Sequence, residues 1–338
     1  MKILYIGSLW EGSTCLERMR ILETLACQVI PFDTTPWVTA GARWQRSFTS
    51  RCHWGAPVNK LNTSVQDFSL TLRKITHVWI DKGQWIYPDT LAQIQSRTSA
   101  KLIHYTPDSQ FLLNISRHFR SCIPLYDLAV TTKPFEVELY KAARVKQVLL
   151  VLQGYDDRFT SFAPTSEERG KFDSDVCFIG HCETHYARIL NMARHVAERL
   201  RIWGPHWRRY RWFHPWAWNH VVGDGVWGKE YPLALASTKV ALGLLSKRIP
   251  ETTTTRSFEV PATGVFMLAE RTDDHLALFS EGVEAEFFSS DEELRDKLSF
   301  YLKNDHLRQK IAAAGRERCL RSGYHSRAQL IRALEQVE

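Results

Sequence analysis

The feature that most restricts the fold is an alternation of strands and helices that starts at the first residues. KILYIG (2–7) is a continuous apolar run that ends in glycine, and CLERMRILETLA (15–26), after a short loop, has helical apolar spacing. QVIPFD (28–33) is the next short strand. Apolar strands that alternate with helices are typical of a parallel sheet covered on both faces. The chain is therefore predicted to be an α/β protein.

The same alternation fills both halves of the chain. Four more strands are predicted in the first half, within THVWIDKG, KLIHYTPD, YDLAVTTK and QVLLVLQGYD, and residues 34–72 between them are less regular. The pattern restarts at DVCFIG (175–180), with a helix over 184–199 and strands within RIWG, KVALGLLS and GVFMLAE. Helices are predicted for YPLALAS, TRSFEVPAT, DDHLALF and DEELRDKLSFYLKN, the last with Ser290 as N-cap, and for 305–321 and 326–337.

A chain of 338 residues has room for two domains. Residues 157–173 are polar, contain proline and glycine and lack periodicity, so they are interpreted as a linker. This predicts Rossmann-like domains over 1–156 and 174–320, facing each other across a cleft, and a C-terminal helix over 321–338 that packs back on the first domain. Ligands of such sheets bind at the carboxyl ends of the strands.

The net charge and the cysteine content restrict which partners and which cellular compartment we expect for the chain. The formal net charge of +7 favours anionic ligands or surfaces without choosing among them. Seven scattered cysteines without a CxxC pair argue against a disulfide framework or a zinc knuckle and favour the cytoplasm. We expect no membrane span, because no window approaches 18 consecutive apolar residues, and MKILYIG is interpreted as a strand and not as a signal peptide.

The run PETTTTRSFEVPATG (250–264) follows the predicted strand KVALGLLS, at a strand's carboxyl end. A helix that starts near Thr254 or Thr255 would direct free backbone N–H groups towards a phosphate. Arg256 in its first turn opposes the helix dipole unless an anion lies there, and Lys247 and Arg248 lie on the same loop. A buried Glu259 would accept ribose hydroxyls. The alternative, with threonine caps and a solvated Glu259, stays open from these residues alone.

The spacing of Glu251 and Glu259 (E-x7-E), with glycine five residues later and an apolar strand behind it, resembles the donor-site motif of retaining GT-B glycosyltransferases of family 4. The longer run TRSFEVPATGVFMLAERTDDHLALFSEGVEAEFFSSDEEL resembles the C-terminal signature of the spore-maturation (CgeB-like) glycosyltransferases, over roughly residues 174–304 together with GVWGKEYPLALASTKVALGLL. The first half resembles these enzymes only in layout. Threonines stand where family 4 often has Gly-Phe-Gly, which puts the role of Glu251 in doubt.

The resemblance implies a GT-B glycosyltransferase and assigns roles at the donor site. Glu259 would hold the ribose, Glu251 would approach the sugar hydroxyls, and Arg256 would face the diphosphate. The loop that faces diphosphate and sugar comprises Thr252, Thr253, Thr254 and Thr255. The base would lie along two strand ends, at Trp203, Gly204, Trp227 and Tyr231.

Other loops offer weaker candidates, each with a structural alternative. In GHCETHYAR, His181, His185 or Arg188 is a candidate phosphate ligand, although a solvated helix face is favoured. In GSLWEGST, Gly12 and Ser13 would approach the acceptor or diphosphate, or form a turn and an N-cap.

Two further residues are assigned to the acceptor side. Tyr105 and Asp108 end the strand KLIHYTPD, and Asp108 would act as a base in an inverting reaction or orient the acceptor in a retaining one. The alternative is that Asp108 caps the helix that follows.

The segment WGPHWRRYRWFHPWAWNH (203–220) combines tryptophans with arginines, which is compatible with a membrane surface, a glycan or a nucleic acid. Packing on its own domain is the favoured interpretation. No metal is expected, because no DxD-type motif is suitably placed. We expect a UDP-, GDP- or dTDP-linked sugar as co-substrate and a glycan, lipid-linked glycan, protein or small molecule as acceptor, with peripheral membrane contact left open and no nucleic acid.

Two alternatives to a glycosyltransferase are a sugar-nucleotide epimerase on the same fold and a non-catalytic binder of nucleic acid or anionic surfaces. The epimerase would bind the nucleotide alike but need no acceptor. The binder would depend on the arginines and tryptophans of 203–218 and not on Glu259.

Overall fold

The computed structural model describes residues 1–25, 27–161 and 164–337. The chain divides into two compact units. The first comprises Met1–Leu152 and Ser326–Glu338, and the second comprises Gln153–His325. The segment 157–173, interpreted above as a linker, lies within the second unit and contains a helix at Ser166–Phe172.

The first unit holds a six-stranded sheet in the order β2-β1-β3-β4-β5-β6, with every pair parallel. Its strands are β1 (Lys2–Gly7), β2 (Gln28–Asp33), β3 (His77–Asp81), β4 (Lys101–Thr106), β5 (Leu128–Thr131) and β6 (Val148–Leu150). Each is one of the six strands predicted for the first half of the chain.

Helices cover this sheet on both faces. They are α1 (Thr14–Thr24), α2 (Thr35–Val38), α3 (Arg43–Cys52), α4 (Ala56–Thr71), α5 (Pro88–Thr98), α6 (Arg117–Cys122) and α7 (Val137–Ala142). The stretch 34–72, which was predicted to be less regular, is therefore largely helical. Helix α3 is exposed on nearly every side, so its aromatic residues do not mark a stripe that faces the core.

The second unit repeats the design with the order β12-β11-β10-β7-β8-β9, again parallel throughout. Its strands are β7 (Ser174–Ile179), β8 (Leu200–Trp203), β9 (Val221–Gly223), β10 (Thr238–Gly243), β11 (Phe266–Glu270) and β12 (Glu286–Phe288). Its helices are α8 (Ser166–Phe172), α9 (Thr184–Ala193), α10 (Trp207–Tyr210), α11 (Glu230–Ala236), α12 (Arg256–Ala262), α13 (Asp273–Leu278), α14 (Asp291–Lys303) and α15 (Asp305–Arg321).

Local sequence explains several helix ends. Ser290 caps α14 by accepting from the Glu293 N–H, as predicted. Helix α9 ends at Ala193, earlier than predicted. The last helix, α16 (Ser326–Glu335), belongs to the first unit, where Leu330, Ala333 and Leu334 join a core cluster with Leu16 and Leu22 of α1.

Candidate functional site

Arg256 connects two strand ends at the carboxyl edge of the second sheet. As the first residue of α12, it donates from Nη1 to the Ile179 carbonyl at the end of β7 and from Nη2 to the Leu244 carbonyl just after β10, both at 3.1 Å. Its guanidinium carbon lies 5.3 Å from the Phe178 ring centroid. The guanidinium is thus held in place by backbone, and its Nε is buried without a hydrogen-bond partner among the described residues.

The threonine loop before α12 is fixed through its backbone. The Thr252 carbonyl accepts from Thr272 Oγ1 at 2.9 Å, and the Thr254 N–H donates to Ser257 Oγ at 3.0 Å. Ser257 Oγ in turn lies 2.7 Å from the ring Nε2 of buried His275. The side-chain hydroxyls of Thr252 and Thr254 are buried and find no partner within 1–25, 27–161 and 164–337. Buried hydroxyls without partners are rare and call for an explanation.

Glu259 and Tyr231, both predicted site residues, are brought together. The Tyr231 hydroxyl donates to Glu259 Oε2 at 2.6 Å, and Glu259 is 6% exposed. Burial raises the pKa of Glu259 to about 7, and the hydrogen bond from Tyr231 and the charges of Arg158 and Arg256 offset this only in part. Glu259 is therefore a buried carboxylate and not a solvated helix residue, and it is poised between its two protonation states near neutral pH.

Glu251, the first glutamate of the pair, lies in a hydrogen-bonded turn of the same loop. Its Oε2 accepts from the Ser246 N–H at 3.0 Å. Ser246 Oγ donates to Glu183 Oε1 at 2.7 Å. Glu183 Oε1 also lies 2.7 Å from His181 Nε2. His181 and Glu251 are thus both connected to Ser246, so the loop after β7 joins the loop after β10.

Glu270, which the sequence analysis did not single out, binds the other side of this loop. It is 8% exposed, accepts from the Leu245 N–H at 2.7 Å and pairs with the Lys247 ammonium. His185 Nε2 lies 3.1 Å from its Oε1. The available signal was its position as the last residue of the strand FMLAE, since a carboxylate that ends a buried parallel strand lies at the edge where ligands bind.

Two residues that were predicted to contact the nucleotide base, Trp203 and Gly204, have evident structural roles. Trp203 is buried, with its ring centroid 6.4 Å from that of Phe172. Gly204 has φ +148°, and a Cβ there would lie 1.9 Å from the Gly180 carbonyl oxygen. Glycine is therefore required at 204 for the close approach of two loops.

Three other predicted donor residues are exposed. Trp227 is 52% exposed, and Arg188 pairs with Asp291 at the start of α14. Arg248 is exposed as well, on the loop between β10 and α12.

The corresponding edge of the first sheet is dominated by ion pairs. Arg18 Nε and Nη2 contact Asp81 at 2.7 and 2.9 Å, and both residues are buried. Tyr105 is buried beneath this pair, with the Arg18 guanidinium carbon 4.5 Å from its ring centroid. Its phenol is therefore covered by protein.

The half-exposed Asp108 pairs with Lys82 at 2.6 Å. Desolvation raises the pKa of Asp108, but Lys82 and more distant cations outweigh it and hold the pKa below its usual value. Ser13 is the N-cap of α1 and accepts from the Cys15 N–H at 3.1 Å, and the preceding Gly12 has φ +95°. The turn-and-cap alternative for this loop is therefore present in the structure.

No group of three or more His, Cys, Asp or Glu side chains in the described parts of the chain is arranged to hold a metal ion. Among the described helices, none combines the length and the apolar character that crossing a membrane requires.

Comparison with known proteins gives a match of part of the chain to a family model, and a fold. Residues 185–335 match the family model described as Glycosyl transferase-like. Comparison with curated proteins gives no match.

The structure is similar to those of several solved proteins. One is Anabaena HepE in complex with UDP and glucose (TM-score 0.66, 12% identity, 100% of both chains covered). Another is sucrose-phosphate synthase from Thermosynechococcus elongatus (TM-score 0.70, 12% identity, 100% of both chains). A third is a glycosyltransferase from Rickettsia africae (TM-score 0.68, 12% identity, 99% of this chain and 97% of that one).

At these identities the structural likeness speaks for the fold alone, and the predicted GT-B fold class is confirmed. The match of residues 185–335 to the glycosyl transferase-like model covers just under half of the chain and supports an enzyme of the glycosyltransferase class.

Proposed function

We propose that the chain transfers a sugar from a nucleotide-diphosphate sugar bound at the carboxyl edge of the second sheet. The observation that carries this proposal is a cluster of buried polar groups within five consecutive positions of the chain. Thr252 Oγ1, Thr254 Oγ1 and Arg256 Nε have no hydrogen-bond partner among the described residues. The buried Glu259–Tyr231 pair follows within the same loop and helix. Two hydroxyls, a guanidinium and a carboxylate suit a ligand that carries both phosphate and sugar hydroxyls.

The roles follow from charge and position. Ionised Glu259 accepts hydrogen bonds from the ribose, with the Tyr231 hydroxyl fixing its orientation. Arg256 and the threonine loop face the diphosphate, Lys247 adds a nearby cation, and His181 lies on the neighbouring loop after β7. Glu251 approaches the sugar from the same loop. Helix α12 has only seven residues, so we assign the electrostatic work to Arg256 and not to a helix dipole.

The reaction that we propose is retaining and independent of a metal ion. Negative charge grows on the diphosphate as the glycosidic bond breaks, and a fixed guanidinium stabilises that charge without reorganising. We propose a retaining outcome and the spore-maturation type because the motif with Glu251, Arg256 and Glu259 resembles those of retaining family 4 and of spore-maturation glycosyltransferases. In the first unit, Asp108 is the proposed residue for orienting the acceptor, because Lys82 keeps it ionised.

UDP is the nucleotide that we favour, since solved structures with this fold include HepE bound to UDP-glucose. The acceptor class stays open among glycans, lipid-linked glycans, proteins and small molecules. We propose a cytoplasmic location on the basis of the scattered cysteines without CxxC pairs.

The test is a panel of UDP-, GDP- and dTDP-sugars, read out as melting temperature and as release of nucleoside diphosphate in the presence of EDTA. We expect a UDP-sugar to stabilise the fold by about 2.7 kcal/mol at 100 times its dissociation constant. Arg295→Ala, an exposed site on α14, is the matched control for Arg256→Ala. A panel without any stabilisation, or conversion of the sugar without release of nucleoside diphosphate, would contradict transfer.

A further inference from the structure

We propose that an exposed apolar and basic surface of the first unit docks on an anionic lipid bilayer. The surface is formed by α3 with the residues just after it and by the segment that follows β4. Its large apolar side chains are Trp44, Phe48, Trp54, Leu112, Leu113 and Ile115. Its cations are Arg43, Arg46, Arg51, Arg117 and Arg120. We call it the α3 surface. The proposal is independent of the donor chemistry above.

The apolar side chains are far more exposed than core packing allows. Trp44 is 71% exposed, Trp54 59% and Phe48 47%. In the second segment Ile115 is 50% exposed, Leu112 46% and Leu113 38%. A concentration of exposed large apolar groups on a folded protein marks an interaction surface.

Hydrogen bonds show that the two segments are neighbours. Trp85 Nε1 donates to the Thr49 carbonyl in α3 at 3.4 Å. Ser116 Oγ, at the end of the second segment, donates to the Gln84 carbonyl at 2.7 Å. Gln84 and Trp85 are consecutive, so one short loop contacts both segments. The two segments therefore lie against the same loop, and we treat their exposed groups as one surface.

The charge of this surface has a single sign. Residues 34–66 and 109–126 contain no aspartate or glutamate. Helix α3 carries Arg43, Arg46 and Arg51, and the second segment leads into Arg117 and Arg120. None of these five arginines forms an ion pair within the described ranges 1–25, 27–161 and 164–337. Their charge is therefore available to an anionic partner.

The side-chain types favour a lipid surface over a protein groove or a nucleic acid. Trp44 and Phe48 are four residues apart and so lie on one face of α3, with arginines on either side of them in sequence. A short basic helix with an exposed aromatic face is typical of segments that lie in the membrane interface, where tryptophan rings and arginine stems fit the headgroup region. Leu112, Leu113 and Ile115 add aliphatic groups that a nucleic acid would not need.

The experiment is vesicle flotation of the full chain with phosphatidylcholine alone and with phosphatidylcholine mixed with phosphatidylglycerol. We expect binding to the anionic vesicles only, weakening as salt rises. R43Q/R46Q/R51Q should lower partitioning by about 100-fold, since each arginine near an anionic surface contributes about a fivefold change. W44S/F48S should also lower partitioning, at low salt and at high salt.

Two control variants make the result decisive. R295Q/F300S removes an exposed arginine and an exposed aromatic from α14, and W212S/F213S removes the most exposed aromatic pair of the second unit. Both should float like the parent chain, and thermal melts check that all variants fold. The proposal is overturned if the parent chain floats with neither vesicle, which would leave the surface to a protein partner. It is equally overturned if neutral vesicles bind as well, or if W212S/F213S abolishes flotation while W44S/F48S does not.

Discussion

At the carboxyl end of β3 in the first sheet, Asp81 and its buried polar neighbours bind each other, whereas after β10 in the second sheet several buried polar groups have no partner among the described residues. Asp81 accepts from Arg18, from the Tyr5 hydroxyl at 2.7 Å and from the Cys15 thiol at 3.2 Å. Arg18 outweighs the desolvation of Asp81, so the pKa of this carboxyl lies below its usual value. The carboxyl group is thus stably ionised inside the protein.

In the second sheet the balance is reversed. Burial dominates at Glu259 and raises its pKa to about 7, while Thr252 Oγ1 and Thr254 Oγ1 lack partners in the described structure. A closed network rigidifies a fold, and an incomplete one is unfavourable until something completes it. The first edge is stabilised at Asp81, and the incomplete network at the second edge supports the polar ligand proposed for it.

The largest expected effect breaks the closed network. Asp81→Ala leaves the buried Arg18 guanidinium uncompensated, which should lower the free energy of unfolding by about 3 to 5 kcal/mol. The control is Asp108→Ala, which removes a half-exposed pair with Lys82 and should cost about 1 kcal/mol or less. Urea unfolding measures both. Equal losses for the two variants would mean that the Arg18–Asp81 pair is not special.

The next effect concerns turnover. Arg256→Ala should lower the rate of nucleotide release by about 10²- to 10³-fold, the loss typical of removing one donor from a developing negative charge. It should lower the free energy of unfolding by only about 1 to 2 kcal/mol, since two carbonyl contacts are lost. Arg256→Lys should recover part of the rate, because an ammonium lacks the planar fork. A fully active Arg256→Ala enzyme would make this residue purely structural.

A third effect tests the raised pKa of Glu259. Its pKa of about 7 in the folded state lies above the ordinary value of 4.5, so the folded state binds more protons than the unfolded state between these pH values. Stability from this group is present below about pH 4.5 and is lost as pH rises through about 7, by about 3 kcal/mol in total. Glu259→Gln should lack this loss, so urea unfolding across this pH range compares the two proteins. Parallel pH profiles would show that the carboxyl is not desolvated.

The smallest effect is on affinity. Glu259→Ala should weaken binding of a UDP-sugar by about 1.5 to 3 kcal/mol, as expected for a charge-assisted hydrogen bond, while the protein stays folded. Tyr231→Phe keeps the ring and should weaken binding less, because it removes only the hydroxyl that orients the carboxylate. Calorimetric titration measures both affinities. Unchanged affinity in a folded Glu259→Ala variant would remove Glu259 from the donor site.

The fold could be predicted largely because the central strands of the first sheet, β1, β3, β4 and β5, are buried on both faces and are therefore continuous apolar runs. The edge strands β2 and β6 are partly exposed and were found from the alternation of strands and helices around them. The two strands of the second sheet that were missed, β9 (Val221–Gly223) and β12 (Glu286–Phe288), are three-residue edge strands. Three residues are too few to show a period, and Glu286 interrupts the apolar signal.

The candidate site could be predicted where function and local sequence coincide. Arg256 and Glu259 stand out because a basic and an acidic residue open a helix after a buried strand. The partnership of Glu259 with Tyr231 spans 28 positions, and that of Glu270 with His185 spans 85, so no local pattern contains either. Gly204 illustrates the reverse: its position at a strand end suggests a base contact, but the close approach of the Gly180 carbonyl explains the glycine.

The most direct test of the central claim is a calorimetric titration of UDP-glucose into the protein near pH 7, repeated in buffers of different ionisation enthalpy. If the ribose requires an ionised Glu259, binding should release about half a proton per nucleotide, because about half of the Glu259 side chains are protonated when the pKa is about 7. Glu259→Gln should bind more weakly and release none. Binding without proton release in the parent protein, or the same release in Glu259→Gln, would contradict the assignment of this edge as the donor site.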